Sequence, residues 1–163
     1  HPCLIKKDTY IANVQGVMNA VILNGSPIGE SVLQGEGAGP KPTSSALMSD
    51  LLSILRGNIK FPFGIAYNKR KTIKNYNYNN YSNAFYLRLE VNDKPGVLSY
   101  ITKSLAKNKI SIERVIQIPD LKKKSASIVI ITHKALENRS QNLINSLKKN
   151  KNVLKIPVLI RLF

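Results

Sequence analysis

The sequence predicts an α+β chain: a βαββαβ domain over residues 84–163, preceded by a strand-and-helix piece of a larger α/β unit. Three observations predict it. Apolar residues alternate at Phe85, Leu87, Leu89 and Val91, the period of a half-buried strand. They recur at helical spacing at Val97, Leu98, Ile101 and Leu105, and again at Leu136, Leu143, Ile144 and Leu147. Turn signals, Asn92 to Gly96 and Pro119 to Leu121, fall between those runs.

Taken in order, residues 1–57 form the first zone. Gly16 to Leu23 reads as a strand, Asn24-Gly25-Ser26-Pro27 as a turn, and Ile28 to Gln34 as a second strand. After the glycine-rich Gly35 to Gly39, Ser44 to Leu55 carries Leu47, Leu51, Leu52, Ile54 and Leu55 at helical spacing, with Gly57 as a C-terminal stop. Two strands and one helix do not close a core, so this zone reads as the edge of a larger domain. Residues 58–83 are a linker, with Pro62, the basic run Asn68 to Lys71 and the low-complexity tract Asn75 to Tyr81. Phe61, Phe63 and Ile65 are its candidates for docking on a neighbour.

Residues 84–163 form the last zone. Phe85 to Val91 is its first strand, and the helix that follows ends near Asn108. Ile110 to about Ile118 is the second strand, Ser125 to Thr132 the third, Ala135 to Lys148 a helix and Val153 to Ile160 the fourth strand. This order is the ferredoxin-like split βαβ: a four-stranded antiparallel sheet with two helices on one face. The other face is left free to pair with a second copy or another domain.

Composition narrows the function classes. Against 9 acidic residues stand 25 lysines and arginines, a net charge of +16. The basic residues fall in short scattered clusters, Trp is absent, and Lys, Asn and Ile are all abundant. That pattern reads as compositional rather than as a nucleic-acid surface, so no specific nucleic acid is expected. No apolar run approaches the length of a membrane span, and the single cysteine, Cys3, excludes a disulfide within the chain; a cytoplasmic setting is the expectation. His133 has no second ligand at metal spacing, and no metal site is expected. Opening on His1-Pro2 without an initiator suggests a fragment or a processed product.

Two segments are candidates for binding. In Asp93-Lys94-Pro95-Gly96 the amides of Gly96, Val97 and Leu98 would project from a helix N-terminus toward a carboxylate, and Asp93 would take an ammonium group. Together they suit a free amino acid. The same residues also read as an ordinary helix start capped by Asp93. The Gly37-Ala38-Gly39 step lacks the dinucleotide-fold spacing. It is either a flexible turn, or a place where Gly37 and Gly39 let the backbone approach a cofactor while the helix start at Thr43 faces an anion.

The Asp93-Lys94-Pro95-Gly96-Val97-Leu98 turn after an alternating strand, with Ile110-Ser111-Ile112 opening the next, resembles the ACT domain, an amino-acid-sensing module. Phe85 to Leu89, Val129 to His133 and Pro157 to Arg161 resemble the ACT domain that ends bacterial homoserine dehydrogenases. Gly16-Val17-x-Asn19-Ala20 and the Gly35 to Ala46 segment, with Asp50-Leu51, look like the end of that family's catalytic region. The resemblance implies an NAD- or NADP-dependent oxidoreductase interconverting homoserine and aspartate semialdehyde in threonine, methionine and isoleucine synthesis. It implies cofactor contact at Gly39, with Gly37 and Thr43 matching the same motif, and a feedback amino acid, threonine, at Asp93, Gly96, Val97 and Leu98. It also implies a homo-oligomer built through both regions. The family's catalytic lysines and homoserine-binding acids would lie upstream of His1, so no catalytic residue is expected here. The alternative is a stand-alone amino-acid-binding module without enzymatic activity. The polar linker and the high charge depart from the family pattern.

Overall fold

A computed structural model describes residues 1–58, 64–72 and 75–163. The chain divides into two compact units, Lys6–Asn75 on one hand and His1–Ile5 with Tyr76–Phe163 on the other. Boundaries drawn at 57 and 83 on the sequence are therefore displaced at both ends. The first five residues and the end of the expected linker belong to the βαββαβ unit, because they are hydrogen-bonded into it.

That unit is built on β4 (Ser82–Asn92), flanked by β6 (Ser125–Thr132) and β8 (Val158–Leu162), with β5 (Ile112–Asp120) beyond β6 at the edge. These are the four expected strands, all antiparallel. A fifth, β1 (Cys3–Leu4), adds in parallel to β8, a pairing with no local signal in the sequence. Phe85, Leu87, Leu89 and Val91 alternate into the core and pair with the Ala126, Ile128 and Ile130 side of β6. Helices α2 (Val97–Lys107) and α3 (Glu137–Lys148) cover that face with Ile101, Leu105, Leu143 and Leu147, all buried. The opposite face presents Ile116, Val129, Ile131, Val158 and Ile160, with Tyr86 and Arg88 among them.

Among the differences from the sequence reading, two are element starts and one is a shift of register. Ala135–Leu136 is a short strand, β7, paired with Asn83 and Ser82, so α3 starts two residues later than expected. The last strand starts later as well. Val153 makes a single bridge to Val91 and the Leu154 amide donates to the Glu90 carbonyl at 2.8 Å, after which Pro157, without an N–H, precedes the regular ladder. In β5 a bulge between Ile112 and Arg114 shifts the register against β6.

In the other unit, β2 (Met18–Gly25) and β3 (Gly29–Glu36) form the expected hairpin, followed by α1 (Pro40–Leu55). The helix begins four residues before the expected Ser44. Pro40 and Pro42 both sit in its first turn, where their missing N–H groups would have no intrahelical partner anyway. At the other end Gly57 donates to Ile54 and Asn58 to Ser53, closing the helix where the sequence placed its stop. No described residue of this unit is buried. Ile65 is exposed, while Phe61 and Phe63 lie outside the described residues. Among the described residues no helix is long and apolar enough to cross a membrane.

Candidate functional site between β4 and α2

Where β4 ends, the chain turns sharply into α2. The Asp93 amide donates to the Lys124 carbonyl at 3.1 Å and the Lys94 amide to the Asn92 carbonyl at 3.1 Å, which pin the turn to the β5–β6 hairpin and to its own strand. Gly96 is the N-cap, at φ 87° in the left-handed region that glycine tolerates and β-branched residues do not. No side chain caps the helix, so Asp93 is not a capping residue. The capping alternative read from the sequence is thereby removed.

The turn walls a cavity of about 380 Å³, with Val91 and Ile128 on its apolar side and Gln117 of β5 across from it. All four residues singled out on the sequence, Asp93, Gly96, Val97 and Leu98, line it together. Their amides are not equivalent. The Val97 amide donates to the Lys94 carbonyl at 3.3 Å, which corrects its expected role as a free donor. The amides of Gly96, Leu98 and Ser99 have no protein acceptor among the described residues, and they sit at the positive end of the helix. Asp93 Oδ1 accepts from Gln117 Nε2 at 3.3 Å, which orients the amide side chain into the same space. A carboxylate acceptor, two or three open N–H donors, a carboxamide and an apolar wall are what a small zwitterion needs.

Gln117 was missed on the sequence although a signal for it existed. It pairs with Ile128, a buried residue, so its side chain faces the helix side of the sheet, where an amphipathic strand should be apolar. A polar residue at an inward position near a turn is such a signal, but the bulge at Ile112/Arg114 hides the phase.

The second candidate segment is less well built. Gly37 is packed rather than open: a Cβ there would run into the Asn19 carboxamide, and its amide donates to the Val17 carbonyl at 2.8 Å. Gly39 caps α1 at φ 122° with only Pro42 near the missing Cβ. Thr43 is not at the helix start. It lies within the first turn, its amide and hydroxyl both donating to the Gly39 carbonyl, at 3.3 and 2.8 Å. Because Pro40 and Pro42 have no N–H, the first turn of the expected anion-facing terminus offers one free amide, at Lys41, beside that of the Gly39 N-cap. His133 donates its backbone amide to Ser111 and Cys3 is an exposed thiol in β1; among the described residues no group of three metal-binding side chains exists.

A polar cluster not expected from the sequence lies at the opposite end of β4. Glu137, fully buried at the start of α3, accepts from Arg161 Nε at 2.9 Å, from the Tyr78 hydroxyl at 2.5 Å and from Gln141 at 3.3 Å. Burial pushes its carboxyl up, but the hydrogen bonds from Arg161, Tyr78 and Gln141 outweigh it and hold the group below the usual carboxylate range. Burial, and then the Glu137 carboxylate, push the Tyr78 phenol up, so it stays protonated and donates.

The βαββαβ order and the antiparallel strand order define a ferredoxin-like domain with a cavity at its β4–α2 turn. Residues 85–152 match the family model described as ACT domain, and residues 1–52 match that of homoserine dehydrogenase. The chain is 36% identical to a homoserine dehydrogenase of Helicobacter pylori over 99% of its own length and 38% of the relative's. With that of Neisseria gonorrhoeae it is 35% identical, over 99% of the chain and 39% of the relative. A solved structure of homoserine dehydrogenase from Thiobacillus denitrificans superposes on the whole chain with a TM-score of 0.83 at 32% identity, covering 38% of that structure. The chain thus corresponds to the C-terminal part of homoserine dehydrogenases, the end of the catalytic region plus the ACT domain, and spans about 38% of the length of the curated relatives it matches.

Proposed function

We propose that this chain is the regulatory end of an NAD(P)-dependent homoserine dehydrogenase, which interconverts homoserine and aspartate semialdehyde in amino-acid biosynthesis in the cytoplasm. The Asp93–Leu98 turn is its site for a feedback amino acid, threonine. One observation carries the reading: the cavity joins open helix-start amides to the Asp93 carboxylate and Gln117 in one space. The effector's carboxylate takes the amides of Gly96 and Leu98, and its ammonium group takes Asp93. Its hydroxyl meets Gln117 and its methyl group meets Val91 and Ile128. Assembly is a homo-oligomer through the catalytic region and the ACT unit, whose uncovered sheet face carries Val129, Ile131 and Ile160.

The cofactor would accept or return a hydride at its nicotinamide. Of the three residues expected to touch it, Gly39 presents open backbone beside α1, whereas Gly37 and Thr43 are engaged by Asn19, Val17 and the Gly39 carbonyl. The amides of Gly39 and Lys41, interrupted by two prolines, do not make a pyrophosphate cradle, so this chain contributes at most a wall of that site. Groups that move protons belong to the upstream part of such an enzyme. The isolated chain is accordingly expected to show no homoserine oxidation.

Calorimetric titration of threonine into the 163-residue chain tests the sensor. Asp93→Ala removes a charge-assisted partner worth about 1.5–3 kcal/mol, so affinity should fall about ten- to a hundredfold. Gly96→Val should do similar harm, since a β-branched residue does not hold φ 87°. Unchanged affinity in an Asp93→Ala variant with wild-type circular dichroism moves the ligand elsewhere. A stand-alone amino-acid-binding module would give the same titration. Sequencing upstream of His1 separates the two, because an in-frame Gly-x-Gly-x-x-Gly motif and a catalytic lysine belong to the enzyme alone.

A further inference from the structure

The chain passes between its two units twice, at Ile5–Lys6 and at Asn75–Tyr76. Within the βαββαβ unit both connections are fastened on one residue. The outgoing connection is β1: Cys3 pairs with Arg161 and Leu4 with Leu162, and the Phe163 amide donates to the Leu4 carbonyl at 2.9 Å. The returning connection is the turn around Tyr78–Asn80, and the side chain of the same Arg161 holds it. Arg161 Nη2 donates to the Tyr78 hydroxyl at 2.5 Å, and its guanidinium lies over the Tyr78 ring, 5.5 Å from the centroid. Two nitrogens of this guanidinium, Nε and Nη2, also donate to the Glu137 carboxylate, and the Glu137 amide donates to the Tyr81 carbonyl at 2.9 Å.

A buried carboxylate needs its partners in place, since desolvation without them is costly. Glu137 therefore fixes the Arg161 side chain, which leaves the backbone at the end of β8 on which β1 pairs. The backbone of Arg161 serves one connection and its guanidinium the other. We propose that Arg161 is a shared fastener that makes the outgoing strand β1 and the returning Tyr78 turn one cooperative element, so that loosening either connection loosens both. The two points at which the chain leaves this unit then respond together to any strain within it. The Asp93–Leu98 turn takes no part, so the inference stands apart from the effector reading.

Two amides report on the two connections: Phe163, which donates to Leu4, and Glu137, which donates to Tyr81. Hydrogen exchange by NMR on the full chain would be measured for wild type, Tyr78→Phe and Arg161→Met. Tyr78→Phe removes the hydroxyl's bonds to Glu137 and Arg161 but keeps the Glu137–Arg161 pair and every pairing of β1. It should nevertheless speed exchange about tenfold at both amides while the β4–β6 ladder keeps its wild-type rates. Arg161→Met should speed both further. Faster exchange at Glu137 alone in Tyr78→Phe, with Phe163 at its wild-type rate, overturns the shared fastener. Should Arg161→Met fail to fold, Tyr78→Phe decides by itself.

Discussion

Residues 6–75 and the βαββαβ unit are both built from amphipathic elements, yet they end very differently. In the βαββαβ unit, Leu87, Ile101, Leu105, Ile130 and Leu147 are completely buried between sheet and helices. In the other, Leu47 on α1 is 67% exposed, Leu33 on β3 is 60% exposed, and no described residue is buried. A four-stranded sheet with two helices has a face for every apolar stripe, whereas a single hairpin and a single helix do not. Apolar patterning therefore marks which side of an element wants covering, not whether this chain covers it.

The largest effect that would break this comparison is in the core. Leu87→Ala should cost about 2–5 kcal/mol by urea unfolding, the range for a buried leucine, while Leu47→Ala should stay within about 0.5 kcal/mol. Equal losses at the two sites would mean that α1 is packed as tightly as β4. The next effect is electrostatic. Glu137→Gln should cost about 1.5–3 kcal/mol near neutral pH, as for a hydrogen bond to a charged group.

The sign of its pH dependence follows from the lowered carboxyl of Glu137. A carboxyl held below its unfolded value stabilises the fold above about pH 4.5 and loses that contribution as the pH falls through the folded value. Wild type and Glu137→Gln should therefore converge in stability on acidification. A difference that persists unchanged at pH 2 would place the effect in packing rather than charge.

A smaller effect belongs to the exposed unit. Gly37→Ala sets a Cβ against Asn19, and an overpacked contact of this kind costs about 1–3 kcal/mol. Chemical-shift changes should spread along β2 and β3, and their absence would show that Asn19 simply swings away. The smallest effect compares the two helix stops. Both α1 and α2 close with the same pair of backbone bonds, through Gly57 in one and Lys109 at φ 56° in the other. Lys109→Gly should raise the midpoint of thermal unfolding, by a gain of about 1 kcal/mol, because a lysine is strained in that conformation. No gain would mean that the Lys109 side chain makes contacts that offset the strain.

Much of the fold was legible in the sequence because it rests on local signals. The β6 span from Ser125 to Thr132 was read to the residue, since β-branched residues alternate there between turns. Asp93, Gly96, Val97 and Leu98 were placed together because they are neighbours in the chain, and a turn keeps neighbours together. Gln117 was not found, because it reaches the same cavity from another strand through a register that a bulge has shifted.

What the sequence determined by itself is the longer strands and the helices, their order and the residues of the β4–α2 turn, all of which follow from the spacing of apolar residues and from glycine and proline. Only the tertiary structure decided that Cys3–Leu4 joins the sheet beside β8, that Glu137 is buried against Arg161 and Tyr78, and that Thr43 lies inside a helix rather than at its start. The physical reason is the same for the first two. A two-residue strand and a buried carboxylate have no stability of their own, and they exist because distant residues, β8 for one and Arg161 and Tyr78 for the other, supply their partners. Thr43 differs: two prolines extended α1 backwards, since a helix's first turn has no use for the N–H groups that proline lacks.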